Sequence, residues 1–114
     1  MDSKNKRVQI MDKTDALKLS RDYLLRLREN NINFSDAWLF GSYARGNQIE
    51  NSDIDIAIVM NDDFPVSFET EIKLMTFRKG EETLIEPHVF SKNDFNPSEP
   101  LVEQIVKFGE PIRV

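Results

Sequence analysis

Cysteine is absent from the 114-residue chain. That excludes a disulfide framework and any thiolate metal site, and it suits a reducing compartment. Histidine and tryptophan occur once each, which leaves no cluster of imidazoles to hold a transition metal. Excess positive charge is also missing. The formal net charge is −5, and no basic stripe of the kind that binds duplex DNA is present. The longest unbroken apolar run, Ile56 to Met60, is far too short to cross a bilayer, and the basic N-terminus "MDSKNKRVQI" contains no apolar signal core. These absences point to a soluble, cytoplasmic protein with no membrane role. What remains is 39% hydrophobic and 31% charged, the balance of a globular fold. The length suits one domain spanning 1–114.

Periodicity places the elements. From Asp12 to Glu29, Ala16, Leu19, Tyr23 and Leu27 recur at helical steps, with Leu17 and Leu24 beside them. Asp12 caps this helix, Asp15 favours its positive end, and the asparagines of "ENNIN" stop it. Asp36 to Phe40 reads as a short strand ended by Gly41. Residues 53–60 alternate, with Ile54, Ile56, Ile58 and Met60 on one face and Asp53, Asp55, Ala57 and Val59 on the other. Residues 66–79 are expected to form a helix that ends at Gly80. Phe68, Ile72 and Met75 make one stripe of it, while Leu74 and Phe77 fall off that stripe as a candidate second contact surface. Thr83 to Phe90 is a third strand, and its Pro87 calls for an edge or a bulge. A last helix over Pro100 to Phe108 shows Leu101, Ile105 and Phe108, and "PIRV" adds a final edge strand. The order predicts an α+β (α/β layered) fold, a small mixed sheet flanked by helices.

Two carboxylates at i and i+2 of one strand share a face, and their mutual repulsion asks for a positive group between them. Mg²⁺ meets that demand, since it takes hard oxygen ligands from one or two carboxylates and completes its shell with water and substrate phosphates. Ahead of these aspartates, Gly41 permits a sharp turn, and "SYARG" can open a helix whose free N–H groups favour phosphate. Ser42 adds a hydroxyl, with helix capping as its plainer reading. Arg45 adds a guanidinium one turn further on, with a surface pair to Glu50 as the alternative.

"GSYARG", followed ten residues after Ser42 by "DID", resembles the G-S-x10-D-x-D signature of the minimal nucleotidyltransferases in the DNA polymerase β nucleotidyltransferase superfamily. The likeness runs from about Leu17 to Phe108. It implies the nucleotidyltransferase fold, a triphosphate held by Gly41, Ser42 and Arg45, and two Mg²⁺ ions held by Asp53 and Asp55. It also implies a third carboxylate from a later strand, for which this chain offers Glu86. Here the pattern departs from the family, which commonly carries aspartate where this sequence reads "IEPH". His88 shares a strand face with Glu86 by alternation and can reach the site, although a lone histidine is more often structural. The resemblance further implies in-line attack on the α-phosphorus of a nucleoside triphosphate, and a separately encoded helical HEPN partner, often a ribonuclease toxin that the nucleotidyltransferase neutralises, in some pairs by adding AMP from ATP. Two other readings stay open: a non-catalytic binding antitoxin with a vestigial site, and a small-molecule nucleotidyltransferase of the aminoglycoside-modifying kind, with a homodimer replacing the missing acceptor domain.

Overall fold

The computed structural model describes residues 11–114, and the basic N-terminal stretch discussed above lies outside them. Helix α1 spans Lys13–Glu29. Asp12 is its N-cap, accepting the Asp15 N–H at 2.8 Å. Asn30 is the C-cap, and Asn31 follows at φ 63°, so the asparagines do end the helix by turning the chain left-handed. Strand β1 is Phe34–Phe40, two residues longer at its start than the alternation suggested, with a register shift between Phe34 and Asp36. A one-turn helix α2, Ser42–Arg45, leads towards β2, Ile54–Met60. Then come α3, Phe68–Met75, a 3₁₀ turn at Gly80–Leu84, β3, Ile85–Phe90, α4, Pro100–Phe108, and β4, Glu110–Pro111.

The sheet order is β3-β2-β1-β4. β1 runs antiparallel to β2 and to β4, whereas β2 and β3 are parallel. A parallel pair cannot be joined by a hairpin, and the segment carrying α3 makes the return crossing. The expected small mixed sheet with flanking helices is therefore present. Pro87 sits on edge strand β3, where its missing N–H costs no ladder bond. Two side chains from the α3 region occupy further groups of that strand: Glu71 accepts the Val89 N–H at 3.1 Å, and Arg78 donates to the Ile85 carbonyl at 2.9 Å.

The main core lies between α1 and one sheet face, where Ala16, Tyr23, Leu24 and Leu27 meet Leu39, Ile54, Ile56, Ile58, Met60 and Ile85. Two helices bury faces that differ from the stripes periodicity showed. In α3 the buried residues are Thr70 and Leu74, off the stripe of Phe68, Ile72 and Met75, while Phe68 and Ile72 are exposed. Polar contacts accompany that burial. Thr70 Oγ1 bonds the Pro65 carbonyl at 2.8 Å, the Tyr23 hydroxyl donates to the Leu74 carbonyl, and Glu71 reaches β3. The helix also stops at Thr76 rather than Gly80, because Glu82 turns inward to accept from the Lys79 N–H at 2.8 Å and from Arg26, which shapes the 3₁₀ turn and shortens β3 to its last six residues. In α4, Val102 and Ile105 are buried, and Leu101 and Phe108 stand about half exposed. No helix among the described residues is long and apolar enough to cross a membrane.

Candidate active site

Strand register assembles the site. Asp55 pairs laterally with Phe40 of β1 and with Glu86 of β3, so these three form one row across the sheet. The next row is Trp38, Ala57 and His88. Because alternation sends Ile54 and Ile56 into the main core, Asp55, Glu86 and His88 share the opposite face. Neighbouring strands lie about 4.8 Å apart, which makes Asp55 and Glu86 lateral neighbours. Asp53 lies one residue before β2 and is exposed.

The turn at Gly41 closes directly on this row. Its backbone has φ 77° and ψ −153°, a conformation that essentially only glycine adopts. A Cβ at this position would overlap Asp55 Oδ2 and come within 3.2 Å of Asp55 Cγ. The two ends of the sequence signature thus touch. Gly41 itself is the N-cap of α2 and no side-chain cap bond is made there, so Ser42 is the first helical residue rather than the cap. Gly46, at φ 79°, ends the turn by returning its N–H to the Ser42 carbonyl at 2.9 Å. Tyr43 is a packing residue, 1% exposed, and burial raises its phenol pKa above the usual value.

Arg45 reaches α4, and among the described residues no ion pair joins it to Glu50. It donates to Gln104 Oε1 at 3.3 Å, and its guanidinium lies 5.9 Å from the centre of the Phe108 ring. His88 does reach the site, with Nε2 3.2 Å from Asp55 Oδ1, and the Phe40 ring meets the imidazole edge to face at 5.1 Å. That hydrogen bond is the main reason the His88 pKa is raised. Desolvation opposes it, and the charges of Asp55, Glu71 and Glu86 add to it. Once protonated, His88 would give Asp55 a positive partner from within the chain. Below the carboxylate row, Phe95 packs on Trp38 and Phe90, with ring centres 6.4 Å and 5.3 Å away. Phe95 comes from a loop, where no periodicity could announce it.

Whether these residues fit a magnesium ion can be asked of the donors themselves. Asp53, Asp55 and Glu86 offer only carboxylate oxygens, and the Gly41 cradle beside Asp55 is one that a side chain would fill. Among the described residues no three acidic or histidine groups are gathered into a ready-made shell. Magnesium takes one or two carboxylates and draws its remaining oxygens from water and substrate phosphates, and the lateral neighbours Asp55 and Glu86 carry donors of that kind.

Comparison with known proteins bears on the fold and the family. No curated protein sequence matches the chain. Among solved structures, a toxin-antitoxin in complex with AMP-PNP is similar at 23% identity and a TM-score of 0.58, over 82% of this chain and 72% of that one. A tri-AMPylated Shewanella oneidensis HEPN toxin in complex with its MNT antitoxin is similar at 19% identity and a TM-score of 0.51, over 85% and 71%. At these identities the likeness is one of fold. The sequence match is more specific, for the nucleotidyltransferase domain covers residues 20–109 and with them the Gly41 turn, both aspartates and Glu86. On that ground the chain belongs to the nucleotidyltransferase domain family.

Proposed function

We propose that this protein is a magnesium-dependent nucleotidyltransferase that moves AMP from ATP to a protein acceptor, and that it acts as the antitoxin of a HEPN-type ribonuclease. The observation that carries the reading is the contact of the Gly41 turn with Asp55, in a row that also holds Glu86. A triphosphate seated on the turn would meet the carboxylates with no side chain between them. The similar folds include one toxin-antitoxin crystallised with an ATP analogue and one whose HEPN toxin carries AMP, which supports the choice of nucleotide and acceptor.

In this reading Gly41 and Ser42 bind the triphosphate through backbone N–H groups and the Ser42 hydroxyl, and Arg45 adds charge. Asp53, Asp55 and Glu86 would hold two Mg²⁺ ions, whose charge, when bound, would offset that on the attacking and leaving oxygens. An acceptor hydroxyl oxygen attacks the α-phosphorus, the bond from that phosphorus to the bridging oxygen breaks, and pyrophosphate leaves. In this reading Glu86 takes the hydroxyl proton, directly or through the metal. His88 keeps Asp55 aimed by holding one of its oxygens at 3.2 Å.

The test is intact-mass measurement of a HEPN partner incubated with the protein, ATP and Mg²⁺. A mass increase of one or more AMP units is expected, and none with Asp53→Asn or Asp55→Asn. A second reading, a binding antitoxin with an idle site, draws on two features: Asp55 is already engaged by His88, and Pro87 follows the third carboxylate. Neutralisation of the partner that survives both aspartate substitutions, without ATP turnover, would select it.

A further inference from the structure

Helix α4 crosses the sheet face that carries Asp55. Its inward residues Val102 and Ile105 are buried but take no part in the α1-side core, and the same holds for Ala57 and Val59, which share the Asp55 face by alternation. The helix starts beyond the loop that follows Phe90 and ends against β1. A Cβ on Gly109 would stand 2.7 Å from the Leu39 carbonyl oxygen, and the next residue, Glu110, pairs with Leu39. Leu39 immediately precedes Phe40, the lateral partner of Asp55. The last turn of α4 therefore finishes level with the carboxylate row, beside the Gly41 turn.

That last turn carries an unusual grouping. Phe108 is 48% exposed, and two cations rest on its ring: the Lys107 ammonium at 5.4 Å and the Arg45 guanidinium at 5.9 Å from its centre. Gln104 holds Arg45 in place through its side-chain oxygen. The ion pairs among the described residues are Lys13–Glu110, Arg26–Glu82 and His88–Asp55, so neither cation on the ring has a carboxylate partner among them. Two like charges on one surface ring repel each other, and cation–π attraction at an exposed site is weak. An anion with several charged oxygens reverses the balance.

We infer that Phe108 is a platform holding Lys107 and Arg45 as a cationic rim for the distal phosphates of a nucleoside triphosphate, the part that departs as pyrophosphate. The inference rests on the nucleotidyltransferase reading of the site and adds α4 to it. As the bond from the α-phosphorus breaks, its electron pair stays on the bridging oxygen. That oxygen's negative charge spreads into the pyrophosphate that the rim faces, while the acceptor oxygen has bonded to the phosphorus and lost its proton to Glu86 or water.

Calorimetric titration of the full chain with ATP and with AMP, each with Mg²⁺, tests this. Lys107→Gln is expected to weaken ATP binding about five- to tenfold while leaving AMP, which lacks the distal phosphates, within about twofold. Phe108→Leu should act likewise, because both cations lose their platform, and Lys107→Arg should restore ATP affinity. Both sites are exposed, and circular dichroism verifies folding. Equal losses for ATP and AMP, or no loss for either, would overturn the rim. Wild-type protein that takes up no ATP would overturn the nucleotidyltransferase reading as well. ATP uptake abolished by Asp55→Asn but untouched by Lys107→Gln would remove the rim alone.

Discussion

Replacing Gly41 by alanine is the sharpest probe of the junction between turn and carboxylate. The new methyl meets two separate penalties. An L-residue at φ 77° and ψ −153° costs about 1–3 kcal/mol of backbone strain. The methyl would also overlap Asp55 Oδ2 and crowd Asp55 Cγ at 3.2 Å, so the carboxylate must move and its 3.2 Å bond to His88 must loosen. Crowding of this kind costs roughly 1–3 kcal/mol more. Stiffening of the unfolded chain returns about 0.4–1 kcal/mol. The net expectation is a loss of about 1–5 kcal/mol, read by urea denaturation, and a fall in Tm of about 5–30 °C for a domain of this size. Gly46→Ala is the control, at a similar φ of 79° but with nothing within 4 Å of its Cβ, so it should lose no more than about 1.5 kcal/mol. A double-mutant cycle isolates the contact: Gly41→Ala with Asp55→Ala should be less destabilised than the sum of the single changes by about 1 kcal/mol. Additive losses, or a Gly46 variant as damaged as the Gly41 one, would refute the claim that this turn is built against Asp55.

Other outcomes follow from the same geometry. Leu74→Ala removes a fully buried side chain and should cost about 2–5 kcal/mol in chemical denaturation, whereas Phe68→Ser on the outward face of α3 should stay within about 0.5 kcal/mol; the reverse ranking would restore the stripe expected from periodicity. The raised His88 pKa makes a signed prediction. The His88–Asp55 interaction contributes its full stability below the unfolded histidine value of 6.5 and loses it as pH rises through the higher folded value. Wild-type stability should therefore decline across that window by more than His88→Asn does, and parallel pH profiles would exclude the pair as a source of stability. Glu71→Ala combined with Arg78→Ala frees the Val89 N–H and the Ile85 carbonyl on edge strand β3, and should promote self-association in sedimentation velocity at high concentration, while an unchanged monomer fraction would mean the edge is guarded by something else.

What could be read without coordinates was whatever depends on neighbours in the chain. Asp12 as a cap, the asparagine stop after α1, the alternation of β2 and the proline edge of β3 all follow from local backbone chemistry, and the structure repeats them. The spacing from Gly41 to Asp55 was legible for the same reason, because a turn, a short helix and a strand start leave few ways to span it. Tertiary structure decided everything that depends on which surface meets which. Two apolar stripes competed in α3, and the hydrogen bond from the distant Tyr23 hydroxyl to the Leu74 carbonyl, the Val89 N–H that Glu71 accepts and the local Thr70–Pro65 bond accompany burial of the one carrying Leu74. The engagement of His88 with Asp55 required the β2–β3 register, and the turning of Arg45 towards Phe108 required α4 to return over the sheet. Local patterning sets the period of an element but leaves its rotation and its partners nearly degenerate in energy, and contacts between distant residues lift that degeneracy.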